Sequence, residues 1–256
     1  MSLLDLTGKK GLVAGIANAN SIAYGCAKAF HAAGAELAIT YLNAKAEPYV
    51  RPLAEKLASP IIVPCDVREP GQLEAVFQRV ARQWGRLDFL LHSIAYAPRE
   101  DLHARVVDCS QAGFLVAMDV SCHSFMRMAR LAEPLMTDGG CLLTVSFYGA
   151  EKVVEHYNLM GPVKAALESA VRYMAAELGP KGIRVHAISP GPLATRAASG
   201  IDQFDELLER AASRAPTHHL VTIDDVGAMA ACLISDAARA MTGATAYVDG
   251  GYNIVG

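Results

Sequence analysis

The chain has 256 residues, 52% of them hydrophobic and only 19% charged, with a formal net charge of -3. That composition suits one large α/β domain with a substantial core and excludes the global basic field of a nucleic-acid binder. Six scattered cysteines with no C-x-x-C pair argue against a disulfide framework or a zinc site and fit a reducing cytoplasm. Residues 1–10 lack the apolar core of a signal peptide, and no run of about 18 apolar residues exists to span a bilayer.

Lys10–Val13 is the first apolar run of strand length. It leads into Ala14-Gly15-Ile16-Ala17-Asn18-Ala19-Asn20-Ser21, after which Ile22–Ala33 carries helical periodicity. A dinucleotide pyrophosphate needs small residues for close backbone approach and free N–H groups at a helix N-terminus. Gly15 and Ala17 supply the first, and Ser21, just before Ile22 opens the helix, is a good N-cap with a hydroxyl to offer. The usual G-x-G-x-x-G is absent, so the same residues also fit an ordinary strand-to-helix turn.

Glu36–Thr40 reads as the second strand, and its end, Thr40-Tyr41-Leu42-Asn43, decides between NAD and NADP. No Arg stands there to clamp a 2′-phosphate, although Lys45 is near, and no acid grips the ribose hydroxyls; NADH is favoured over NADPH. Ile61–Pro64 is followed by Cys65-Asp66-Val67, where Asp66 either accepts from an adenine amino group or caps a turn. After a helix over Leu73–Trp84, Leu87–His92 forms the fourth strand, closed by Ser93-Ile94-Ala95, whose backbone can line a ribose. Phe114–Met136 reads as one long helix, and Val163–Leu178 and Asp224–Ile234 as two more, alternating with strands at Gly140–Val145, Arg184–Ile188 and Ala246–Val248. Near-continuous apolar strands alternating with helices predict a Rossmann-like, doubly wound parallel sheet covered on both faces. Leu193–Thr222 is a polar excursion with a short helix around Phe204–Arg214, placed where such a fold carries a substrate lid. Residues 1–256 are therefore read as one dinucleotide-binding domain with residues 193–222 as its lid.

Tyr157 and Lys164 stand seven residues apart in HYNLMGPVKAALESAV. A phenol and an ammonium held near one another can serve a developing oxyanion and a nucleotide ribose. Seven residues is about two helical turns, so Tyr157 must reach along the axis or precede the helix. Pro162 fits a first turn better than a helix interior, which predicts a helix start near Gly161 with Tyr157 on the approach to it. Taken alone, the pair also fits a Tyr and a Lys on a solvated helix.

Together these segments resemble the enoyl-acyl-carrier-protein reductase branch of the short-chain dehydrogenase/reductase family, over the whole length. The matching residues are Gly15-x5-Ser21-Ile22-Ala23-Tyr24-Gly25, Cys65-Asp66-Val67, His92-Ser93-Ile94-Ala95, Gly149-Ala150-Glu151, Tyr157-Asn158-x-Met160-Gly161-x-x-Lys164, Ala187-Ile188-Ser189, Ala197-Ala198-Ser199-Gly200-Ile201 and Val248-Asp249-Gly250-Gly251. The seven-residue step separates this branch from ordinary members, whose spacing is four. The resemblance implies NADH-dependent reduction of a trans-2-enoyl thioester on acyl carrier protein, in fatty-acid elongation, by a homotetramer. Tyr157 would donate to the thioester enolate and Lys164 would hold the nicotinamide ribose. Gly191-Pro192-Leu193 would face the carboxamide, Thr195 the cofactor phosphates, and Ser146 would be a cofactor-side contact. Ala97, Phe147, Tyr157 and Met160 would line the substrate.

Several positions depart from that pattern. Phe147 stands where most bacterial members have a second tyrosine, and strand alternation would turn Tyr148 the other way. The lid helix carries Asp202, Asp205, Glu206 and Glu209 where relatives carry basic residues that meet the acidic carrier, with Arg196, Arg210 and Arg214 as compensation. Leu42 replaces a polar residue near the adenosine, Pro190 an Ala and His186 an Asn. His218-His219 is not read as a metal pair, because adjacent side chains point apart, and His156 is expected to be exposed. These departures keep two alternatives open: a divergent reductase acting on a CoA ester or a small ketone or enone, and a non-catalytic nucleotide sensor.

Overall fold

The computed structural model describes residues 4–195 and 204–255. Seven strands form one wholly parallel sheet: β1 (Lys10–Ala14), β2 (Glu36–Tyr41), β3 (Ile61–Pro64), β4 (Phe89–His92), β5 (Gly140–Val145), β6 (Ile183–Pro190) and β7 (Thr245–Val248), in the order β3-β2-β1-β4-β5-β6-β7. The helices are α1 (Ile22–Ala32), α2 (Glu47–Lys56), α3 (Gln72–Trp84), α4 (Arg99–His103), α5 (Gln111–Met118), α6 (Ser124–Ala132), α7 (Met160–Leu178), α8 (Phe204–Arg214), α9 (Ile223–Ile234) and α10 (Tyr252–Val255).

Consecutive strand residues point to opposite faces. Leu12, Leu90, Leu142 and Val185 enter a core shared with α3, α6 and α7, while Val13, Leu91, Leu143 and Ile188 enter a second core shared with α1, α2 and α9. Both faces thus demand apolar residues, which is why the strands read as unbroken hydrophobic runs. No helix among the described residues is long and apolar enough to cross a membrane.

The predicted strands all form, with ends shifted by one or two residues: the fourth begins at Phe89 rather than Leu87, and the sixth runs from Ile183 to Pro190. Two helical readings need correction. The predicted Phe114–Met136 helix begins earlier, at Gln111, and is interrupted by a π-helical turn at Asp119–His123. It closes in a 3-10 turn at Glu133–Leu135, where Pro134 ends the regular ladder. The π turn sits where the helix is tied to the exit of β4: Ser121 Oγ accepts from the Tyr96 N–H at 2.9 Å, and Ser124 Oγ lies 2.8 Å from the buried His92 Nε2. Helix α2 escaped the periodicity reading because it buries only Val50 and Ala54 and carries Pro52 in its interior. The lid reading falls partly on residues 196–203, outside the described residues, as does the motif Ala197–Ile201.

Helices α1 and α9 lie side by side on one face, in contact through Gly25 and Gly227. A Cβ on Gly25 would overlap the Ile223 carbonyl, and one on Gly227 would lie 2.5 Å from Gly25 O. Glycine inside a helix costs about 1 kcal/mol against alanine, so its use at both positions reflects the close approach. Gly227→Val is expected to force the two helices apart and destabilise the fold by roughly 1–3 kcal/mol, read as a lower urea midpoint with an unchanged m-value.

Candidate active site

In a doubly wound sheet the ligand crevice lies at the carboxyl ends of the strands where the order reverses, here between β1 and β4. The two exits are bonded directly, the Ser93 N–H donating to Ala14 O at 2.9 Å. Gly15 has φ +119°, and a Cβ there would overlap Ser93 O. Only a bare backbone fits against the Ser93 carbonyl, so the two strand exits can close on one another. Ser21 is an N-cap by backbone position, but its side chain does not cap the helix: Oγ accepts from the Ala17 and Asn18 N–H groups, each at 3.0 Å. The hydroxyl therefore shapes the loop, and the amides open to an anion are those of the first turn of α1, beginning at Ile22.

Gly15, Ala17, Asp66, Val67, Ser93, Ile94 and Ala95 come together around one cleft of ≈ 510 Å³. Asp66 does not wait there with a free carboxylate. Its oxygens take the Arg68 N–H, Nε and Nη2 at 3.0, 3.1 and 2.9 Å, and that pairing lowers its pKa. The direct adenine contact expected of Asp66 thus shares its acceptors with Arg68, and the residue also serves the turn reading. Leu42 and Tyr96 complete the cleft.

The second half of the site forms around the exit of β5. Helix α7 begins at Met160, with Pro162 in its first turn and Tyr157 before it, as Pro162 predicted. Tyr157 is turned inward between two residues of positive φ, His156 (63°) and Asn158 (41°), both types that tolerate this region better than most. The Asn158 side-chain amide donates to Leu102 O at 2.9 Å and fixes the turn. The Tyr157 ring packs edge-on against Phe147 with centroids 4.8 Å apart. Burial, then Glu168, pushes its phenol well above the usual range. Tyr148 points away, onto Tyr252 of α10, as alternation required.

Lys164 is buried, and its ammonium donates to Val145 O at 2.6 Å. Burial lowers its pKa to about 8, against the opposing influence of Cys122 and Glu168. One helical turn on, the buried Glu168 accepts from the Ser146 hydroxyl. Burial raises its carboxyl pKa, which the Ser146 bond opposes. Residues Val145, Ser146 and Phe147 are thereby gripped in succession by Lys164, Glu168 and Tyr157. Glu168 was missed by the sequence reading, although an acid four residues after Lys164, on the same face of an apolar helix, was a readable signal. Arg68 carried no such signal.

The remaining predicted residues are less uniform. Gly191 and Pro192 are buried at the exit of β6, where the Gly191 N–H donates to Val248 O at 2.9 Å. Leu193 packs partly buried against the second core, and the Thr195 N–H donates to Leu193 O at 2.7 Å. Met160 is buried among core residues rather than opening onto the hollow of ≈ 430 Å³ beside Tyr157, and Ala97 is partly buried against the same core. His186 is fully buried on β6, with burial lowering its pKa; His156 is half-buried rather than exposed. No group of three or more His, Cys, Asp or Glu among the described residues is placed to hold a metal. A further groove of ≈ 500 Å³ lies at the opposite, amino end of the strands. Its Arg184 is spent on four carbonyls, those of Leu233, Ile234, Ser235 and Ala238, so it closes the end of α9 rather than forming a site.

Residues 15–253 match the family described as Enoyl-(Acyl carrier protein) reductase. The chain is 45% identical over 251 residues to an enoyl-[acyl-carrier-protein] reductase [NADH] of Rhizobium meliloti, covering 98% of this chain and 92% of the relative. Among solved structures, a reductase of this name from Anaplasma phagocytophilum, in complex with NAD, superposes with a TM-score of 0.95 at 48% identity, over 100% of this chain and 97% of that one. A Bacillus cereus enoyl-acyl carrier protein reductase with NADP+ and an indole naphthyridinone gives a TM-score of 0.96 at 43% identity, over 100% of each chain.

The grip of α7 on the β5 exit is open to a stability test. Glu168→Ala leaves the Ser146 hydroxyl buried without its acceptor and is expected to cost about 1–3 kcal/mol in urea unfolding. Glu168→Gln keeps an acceptor and should cost less.

Proposed function

The chain belongs to the enoyl-(acyl carrier protein) reductase family, and on that premise we propose that its site reduces the trans-2 double bond of an enoyl thioester with Tyr157 and Lys164 in the central roles. The protein is an NADH-dependent oxidoreductase. The bare backbone at Gly15, which leaves no side chain in the loop, and the first turn of α1 fit the dinucleotide phosphates. When bound, the cofactor supplies the hydride that reaches the substrate β-carbon.

The rest of the chemistry belongs to the chain. Reduction at the β-carbon leaves negative charge on the thioester oxygen, and the Tyr157 hydroxyl donates to it. A buried phenol with a raised pKa remains a hydrogen-bond donor at neutral pH, and one oxyanion donor is worth about 3 kcal/mol. Lys164 spends one N–H on Val145 O and keeps two for the ribose. Phe147 holds the Tyr157 ring in place and removes water from its edge. The single observation that carries the reading is this construction: an ammonium and a phenol, both buried, fixed on Val145 and Phe147, either side of Ser146 at the β5 exit.

We further propose acyl carrier protein as the carrier, residues 193–222 as the lid, a homotetramer and a cytoplasmic location. The exposed Phe114 and Leu115 of α5 and Tyr173 of α7 offer apolar surface for a second copy to cover, and the cysteines are all free. One observation weighs against an acidic carrier and keeps the CoA-ester reading open. On α8 the two cations are engaged within the chain, Arg210 with Glu155 at 2.9 Å and Arg214 with Val255 O at 2.8 Å, while Glu206 and Glu209 add negative charge. Like charges would slow encounter with an acidic carrier.

Turnover of crotonyl-CoA, a carrier-linked enoyl substrate and simple ketones, each with NADH and NADPH, separates these readings. The carrier-linked substrate with NADH should give the highest kcat/KM, and a preference for ketones would sink the assignment. Tyr157→Phe should lower kcat roughly 100-fold, the loss of one oxyanion donor; unchanged turnover would remove Tyr157 from its role and leave a nucleotide-sensing protein. Because burial has lowered the Lys164 pKa to about 8, its charge is present below that pH and lost above it. The profile of kcat/KM is therefore expected to fall on the alkaline side with an apparent pKa of about 8.

A further inference from the structure

Two residues of the cleft at the β1 and β4 exits, Arg68 and Tyr96, are not used by the dinucleotide reading. Arg68 approaches the cleft from the loop after β3, forked on the Asp66 carboxylate through Nε at 3.1 Å and Nη2 at 2.9 Å. Its guanidinium carbon also lies 5.5 Å from the centroid of the Tyr96 ring, which comes from the loop after β4. Arg68 and Tyr96 line the same cleft as Leu42, Val67 and Ile94.

We propose that Arg68 is a specificity-determining residue for the cofactor: its guanidinium plane, held between the Asp66 fork and the Tyr96 ring, stacks on the adenine base. This rests on the dinucleotide reading above and deepens it. A planar, weakly hydrated cation is well suited to an aromatic face, which an ammonium is not. Two anchors fix the plane before any ligand arrives, so little rotamer freedom is left to lose on binding. Half of the Arg68 side chain remains open, so the group keeps surface to offer. The rest of the wall fits a base rather than a phosphate, since Leu42, Val67 and Ile94 are apolar and Leu42 is itself 49% exposed. The same fork shares the Asp66 carboxylate with Arg68 while leaving it room for a further donor.

The test titrates ADP-ribose, the adenosine half without the nicotinamide, into the full-length protein by calorimetry. Arg68→Ala should bind it roughly 3- to 20-fold more weakly than the parent. Arg68→Lys keeps the charge but loses the plane and the fork, so it should behave like the alanine variant within about twofold. In turnover, KM for NADH should rise in both variants by a larger factor than any change in kcat. Affinity for ADP-ribose within about twofold of the parent in Arg68→Ala would overturn the proposal. So would full recovery in Arg68→Lys, which would make the group a point charge toward phosphate. A parent protein that neither binds ADP-ribose nor oxidises NADH with an enoyl thioester would instead overturn the dinucleotide reading, and the proposal with it.

Discussion

The structure of the site depends on one buried charge, the Lys164 ammonium on the Val145 carbonyl. A cation taken out of water is expensive unless its donors are used, and burial has already brought this one down to a pKa of about 8. Val145 is the last residue of β5, where regular pairing ends, and the Ser146 N–H still reaches across to Ile188 O at 2.8 Å. The next partners must come from α7. Lys164 and Glu168, one turn apart, supply a donor for the carbonyl of Val145 and an acceptor for the hydroxyl of Ser146. Helix and strand exit are thus fixed as a pair, and Phe147, the next residue, inherits its position from that pairing.

Tyr157 follows from the same arrangement. An ordinary four-residue step would place the phenol on α7 itself; the longer step leaves it on a turn that must bend back toward β5. That turn holds two non-glycine residues at positive φ, at a cost tolerable only because the surroundings over-determine it. Asn158 is tied to Leu102, Tyr157 lies against Phe147, and a Cβ on Gly149 would press into the Tyr157 ring, so the space is shaped for that ring alone. Replacing a second tyrosine by Phe147 in this setting removes a hydroxyl but keeps the aromatic edge that orients the remaining one.

What was legible in the sequence was what depends on pattern. A parallel sheet buried on both faces writes itself as apolar runs, and Pro162 marked the start of α7. Illegible features were those set by tertiary partners. The π turn at Asp119–His123 and the Ser124 that follows it answer to Tyr96 and His92, 25 and 32 residues away in sequence, and leave no periodic trace. Ser21 looked like a side-chain cap because its residue type favours one, but the loop's own N–H groups claimed the oxygen first. Asp66 was read as an adenine acceptor or a turn residue, and nothing in Asp66-Val67-Arg68 says that the arginine will fold back on it. Cys65 and Val67, by contrast, are buried as the apolar run before them implies, and both line the cleft.

The two halves of the cleft are built on opposite principles. Around Lys164, Glu168 and Tyr157 every polar group is buried, so each substitution there disturbs solvation, packing and chemistry together. Around Leu42, Arg68 and Tyr96 the side chains are about half exposed, although the Asp66 partner of Arg68 is buried. The buried half is therefore constrained by stability as well as by rate, whereas the open half is free to vary and to tune how tightly a dinucleotide is held. Leu42 and Arg68 both lie in that open half.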